Sequence, residues 1–138
     1  MKSLIVFTLI VINCALRNGD AHLKNFGIVY DDVQGEARLA PVYDLVTTSV
    51  YLPKDSMALT LNGTTKWASA KELQRLGEVR LGSTPARIRA TLERVDAALM
   101  STAEEMRAYV KKKAEFSEMG TRMLQEWDQG ARHSLRAE

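Results

Sequence analysis

Apolar residues run almost unbroken from Leu4 to Leu16, and no later segment repeats that density. A stretch this apolar on every face reads as a helix packed on all sides. At about thirteen residues it is too short for a bilayer span, which takes roughly twenty. Further on, Phe26-Gly27-Ile28-Val29-Tyr30 is rich in strand formers, Asp31 to Gly35 has turn composition, and Ala37 to Val42 is again extended. That order predicts a β-hairpin. Thr47 to Trp67 is irregular, with a short strand expected near Met57–Leu61 and a turn at Asn62-Gly63. Ser69 is placed to cap a helix from Ala70 to about Leu76. Thr84 followed by Pro85 starts another, and Ile88, Leu92, Val95 and Leu99 form its buried stripe. A last helix is expected from about Thr102 to Glu126, with Met106, Val110, Met119, Met123 and Trp127 facing inward. The fold class is α+β, mainly α. With 138 residues and 46% hydrophobic composition, one domain with one core is expected.

Charge narrows the function little. The net charge is +2, with six basic and six acidic residues before Trp67 and thirteen and eleven from there on. Such mixing leaves no basic field, so direct nucleic-acid binding is not expected. Lys111-Lys112-Lys113 reads as a solvated helix face. The single cysteine, Cys14, excludes an internal disulfide and falls in the apolar run, where it reads as a small core residue. His133 has no argued role.

The chemistry is concentrated in Asn18-Gly19-Asp20-Ala21-His22-Leu23-Lys24-Asn25. Asp20 and Asn25 are separated like the base and the metal-binding amide in the catalytic loop of protein kinases. A second acid, Asp44, follows the hairpin in Pro41-Val42-Tyr43-Asp44-Leu45. A hairpin returns the chain to its starting end, and adjacent strands lie about 5 Å apart. Asn25 and Asp44 can therefore share one small volume, as two oxygen ligands of the kind Mg²⁺ accepts.

These residues resemble the HipA-type serine/threonine kinases, toxins of bacterial toxin–antitoxin pairs. Asn18 to Gly27, Leu39-Ala40-Pro41-Val42-Tyr43-Asp44-Leu45 and, more weakly, Leu59-Thr60-Leu61-Asn62-Gly63 carry the resemblance. It implies a protein-kinase-like C-terminal lobe whose hairpin carries the metal site. Asp20 is then the general base, Lys24 places positive charge near the transferred phosphoryl, and Asn25 and Asp44 bind Mg²⁺. His22 lies two residues after the acid, as in the D-x-H-x-x-N loop of aminoglycoside and lipid kinases, where it faces the nucleotide site or holds the loop. Tyr43-Asp44-Leu45 stands where other protein kinases have D-F-G, so a Phe-Gly switch is not expected.

The resemblance also implies ATP and Mg²⁺ as cofactors and a protein substrate, with an aminoacyl-tRNA synthetase as the candidate. It implies a HipB-like DNA-binding antitoxin and a cytoplasmic location. No G-x-G-x-x-G, G-x-x-x-x-G-K-[ST] or V-A-I-K pattern occurs in the chain, although the family carries its nucleotide-gripping lobe upstream. The expectation is a C-terminal lobe over residues 1–138, from a split or truncated gene, completed by a separate N-terminal lobe. Two other readings stay open. One is a non-catalytic remnant acting as an interaction domain. The other is a small exported helical protein, since Lys2 and the apolar run also mimic a secretory leader. Asn13 and Arg17 stand where a leader needs small neutral residues, which favours the buried helix and no membrane association.

Overall fold

The computed structural model describes residues 2–137. Four α-helices supply the core: α1 (Lys2–Leu16), α2 (Ala70–Val79), α3 (Pro85–Lys112) and α4 (Ser117–Ser134). Between α1 and α2 lie a 3-10 turn at Leu23–Asn25, strands β1 (Ile28–Val29) and β2 (Arg38–Leu39), and a second 3-10 turn at Thr48–Val50. Phe7, Val11, Cys14 and Ala15 recur at helical spacing on α1 and meet Leu73 of α2, Ile88, Leu92 and Val95 of α3, and Trp127 and Ala131 of α4. Burial pushes the Cys14 thiol up to about 11, as suits a packing residue. The apolar run is not covered on every side, however: Ile5 is 49% exposed, so α1 has one open edge.

The helix starts follow from their caps. Ser69 Oγ accepts from the Glu72 N–H while the Glu72 carboxylate accepts from the Ser69 N–H, a reciprocal box that opens α2. Thr84 Oγ1 accepts from the Arg87 N–H ahead of α3. The expected boundary near Thr102 does not exist. No Gly or Pro interrupts residues 86–119, and Thr102 bonds back to the Ala98 carbonyl within a continuous helix. The break comes at Lys113 (φ −121°, ψ 89°), and the last helix begins at Ser117 and runs past Glu126 to Ser134. Packing sets that corner: a Cβ at Gly120 would lie 2.3 Å from Val110 Cγ2, and Phe116 stands edge-on to Tyr109. Of the expected inward residues, Trp127 is buried and Met106, Val110, Met119 and Met123 are half-buried.

The hairpin forms in the expected direction but is shorter. β1 and β2 pair antiparallel over two residues each, Ile28 with Leu39 and Val29 with Arg38. Ile28, Val29 and Tyr30 are exposed, so no core contact extends the ladder. Met57–Leu61 is not a strand; one bridge, Leu61 with Thr64, remains. The turn at Asn62-Gly63 is present, both residues having positive φ (51° and 80°), as a two-residue reversal demands.

Candidate functional site

The loop from Asn18 to Asn25 takes its direction from the end of α1. Arg17 sits in the left-handed region (φ 58°), its N–H donating to the Cys14 carbonyl and the Asn18 N–H to the Asn13 carbonyl. These two bonds form a Schellman motif, here with Arg where Gly is usual. Tertiary contacts offset the backbone cost. The Arg17 guanidinium lies 5.2 Å from the Trp67 ring centroid and donates to the Gln129 carbonyl of α4, and burial lowers its pKa. α1 and α4 cross closely there, since a Cβ at Gly130 would fall 2.0 Å from the Ala15 carbonyl oxygen.

Five residues marked by the sequence lie on this loop or at the far end of the hairpin. The Asp20 carboxylate and the His22 ring meet, Oδ1 to Nε2, at 3.1 Å, both half-exposed. The His22 N–H donates to the Asn25 Oδ1 at 3.0 Å, and the Asn25 Nδ2 donates to the Asp44 Oδ2 at 3.2 Å. Asn25 and Asp44 thus converge from the two sides of the hairpin, although the ladder itself ends at Leu39. The Lys24 side chain is exposed, while its carbonyl accepts the Tyr43 hydroxyl. Asp44 adopts a left-handed backbone (φ 62°), a conformation non-glycine residues enter at a cost.

One carboxylate and one amide oxygen would suit a small hard cation. Here, however, Asn25 turns its Nδ2 to Asp44 and its Oδ1 to the His22 N–H, so a cation shared by the two requires the amide to turn. Among the described residues no group of three His, Cys, Asp or Glu could hold a metal. A cation at this pair would therefore take further ligands from water or phosphate oxygens.

Sequence reasoning missed the residues that hold the loop. Asn18, 2% exposed, accepts the Asp20 N–H on its Oδ1. Its Nδ2 donates to Asn13 Oδ1 at 2.7 Å and to the Asp44 carbonyl at 3.2 Å. From the other side, Thr48 Oγ1 accepts the Gly19 N–H at 2.7 Å and donates to the Asp55 carboxylate. A Cβ at Gly19 would meet that carboxylate, so any larger residue there has to displace the Asp55 side chain. The 3-10 turn bearing Thr48 is fixed by α4: Trp127 Nε1 donates to Thr47 Oγ1 at 2.7 Å and Arg122 to the Val50 carbonyl. Asn13 had left a trace in the sequence, as the one amide in an apolar helix. Thr48 and Asp55 left none.

Thr48→Val keeps the shape and removes the hydroxyl's bonds with the Gly19 N–H, the Asp55 carboxylate and the Arg17 carbonyl. Leaving the Gly19 N–H and Asp55 without that partner is expected to cost about 1–3 kcal/mol, read from urea unfolding. A variant as stable as the parent would mean that Thr48 does not anchor the loop.

A family model described as "HipA-like C-terminal domain" matches residues 3–124. Two proteins of Sinorhizobium fredii (strain NBRC 101917 / NGR234) are similar. "Putative kinase Y4dM" is 39% identical over 61 residues, covering 44% of this chain and 15% of that protein. "Putative kinase Y4mE" is 51% identical over 41 residues, 30% of this chain and 9% of that protein. The matched stretches are a small part of both relatives.

Proposed function

Because the chain belongs to the family of HipA-like C-terminal domains, we propose that it is the catalytic lobe of a HipA-like serine/threonine protein kinase. In this reading it moves the γ-phosphoryl of ATP to a protein hydroxyl. One observation carries the reading: the Asn25 and Asp44 side chains converge, 3.2 Å apart, beside the loop that presents Asp20. Phosphoryl transfer asks the protein mainly to position groups and stabilise charge. Asp20 takes the proton of the attacking hydroxyl onto its carboxylate, and the His22 ring, in contact with that carboxylate, orients it. Lys24, exposed at the same loop, would supply positive charge to the phosphates. Asn25 and Asp44 would hold Mg²⁺, which would supply positive charge to the phosphate oxygens. Tyr43, bonded to the Lys24 carbonyl, ties the segment that bears Asp44 to the loop.

The surface around the site supports a second lobe. Leu23, Ile28, Tyr30, Val33, Tyr51 and Leu52 are all more than half exposed, and they crowd one stretch of chain between residues 23 and 52. Exposed apolar side chains that form one contiguous patch mark an interaction surface. The resemblance assigns it to a nucleotide-gripping lobe, and by the same analogy the enzyme is a cytoplasmic toxin. Its substrate is then an aminoacyl-tRNA synthetase, and a HipB-like antitoxin restrains it.

Calorimetry on this chain alone is expected to show only weak ATP·Mg²⁺ binding, because most nucleotide contacts belong to the other lobe. Micromolar affinity would sink the two-lobe reading. Phosphoryl transfer regained on adding a complementary lobe would support it.

A further inference from the structure

We propose that Asn18 is a positioning residue that sets the distance between the base and the metal-binding acid, with its amide oriented from α1 through Asn13. The inference rests on the reading of Asp20 and Asp44 given above. Each end of one planar, rigid amide is committed to a different part of the site: Oδ1 holds the Asp20 N–H at 3.2 Å and Nδ2 holds the Asp44 carbonyl at 3.2 Å. The separation between those two backbone points is therefore fixed by the amide itself.

The network also decides which way the amide faces. The Leu9 carbonyl can only accept, so Asn13 turns its Nδ2 toward it, at 2.9 Å. That leaves Asn13 Oδ1 facing Asn18, where it requires a donor and receives Nδ2 at 2.7 Å. The second Nδ2 hydrogen then falls to Asp44 O, and Oδ1 to the Asp20 N–H. A flipped Asn18 would set oxygen against two acceptors and hydrogen against a donor. Because both amides are buried (2% and 7% exposed), water cannot repair such a flip. The bond to Asp44 carries a further load. Asp44 is held at φ 62°, a conformation it would leave for the extended or right-handed regions without restraint. Released, its carboxylate would no longer be aimed at Asn25.

The test uses the full chain, labelled with ¹³C and ¹⁵N, and needs no activity. The Cα and Cβ shifts of Asp44 report its left-handed backbone without metal, and Mn²⁺ titration followed by paramagnetic broadening reports the cation site. In Asn18→Leu the left-handed signature of Asp44 is expected to be lost. Mn²⁺ affinity should fall about 10–100-fold, the usual effect of removing an outer partner of a metal ligand. Ser134→Ala removes a buried hydroxyl bonded to the Ala68 carbonyl, away from the loop, and should change neither. If Asn18→Leu does not fold, Asn13→Leu takes its place. It touches neither acid, yet should shift the Asp20 amide and weaken the Asp44 signature. An unchanged Asp44 signature in whichever variant folds overturns the inference. Asp44→Asn separates the two readings. Undiminished Mn²⁺ binding in that variant removes Asp44 as a ligand, while the shift data still judge Asn18.

Discussion

Asp20→Asn, in an enzyme assembled with a complementary nucleotide-binding lobe, is expected to lose about 10²–10⁴-fold in transfer rate, the usual worth of a positioned acid–base group. The amide keeps the shape of the side chain but cannot take a proton. Folding should be spared, because the loop at Asp20 is held by its backbone: the N–H bonds Asn18 Oδ1 and the carbonyl accepts the His22 N–H. The side chain is half-exposed, a setting where substitutions usually move stability by less than about 0.5 kcal/mol. Labelled phosphate transfer and thermal unfolding, measured on the same preparation, give both numbers. Substantial transfer by the variant would mean that Asp20 is not the base.

A chain beginning at Ala15 is expected not to fold. It lacks Phe7 and Val11, both fully buried, and Leu9, 5% exposed, with half-buried Leu4, Ile10 and Ile12 around them. Burial contributes about 1.5–3 kcal/mol for each large aliphatic or aromatic side chain, and whole domains are stable by only about 5–15 kcal/mol. Losing this set consumes the margin. The truncated chain also loses Asn13 and with it the bonds that orient Asn18. Aggregation, or a flat unfolding curve by circular dichroism, is the expected result. A cooperative transition in the truncated chain would show that α1 is dispensable.

What the sequence made legible follows the range of the physics. α2 and α3 begin where Ser69 and Thr84 said they would, because a cap is a local bond over three residues. The end of α3 was not legible. Lys113 carries no helix-breaking chemistry, and the corner depends on Gly120 admitting Val110, a contact between two helices. The hairpin was readable in direction and overread in length, since strand formers such as Ile28 and Val29 extend a ladder only when something covers them. At the site, Asp20, His22, Lys24, Asn25 and Asp44 could be marked by type and spacing, and the structure gathers Asn25 with Asp44 and His22 with Asp20. Thr48 and Asp55 could not be marked. Their value lies in meeting Gly19 across 29 residues or more, a separation no local pattern encodes.

The anchorage of the loop by α4 has a consequence in time. Thr47 waits for Trp127, Arg17 for Gln129, and the α1 backbone for Gly130, all about a hundred residues further along the chain. Ribosomes add about 5–20 residues per second, so the Asp20 loop leaves the exit tunnel roughly 5–20 s before the helix that holds it. During that interval the exposed apolar residues between 23 and 52 are already outside while the site is still unassembled. The loop that presents Asp20 is therefore assembled last, only when α4 docks.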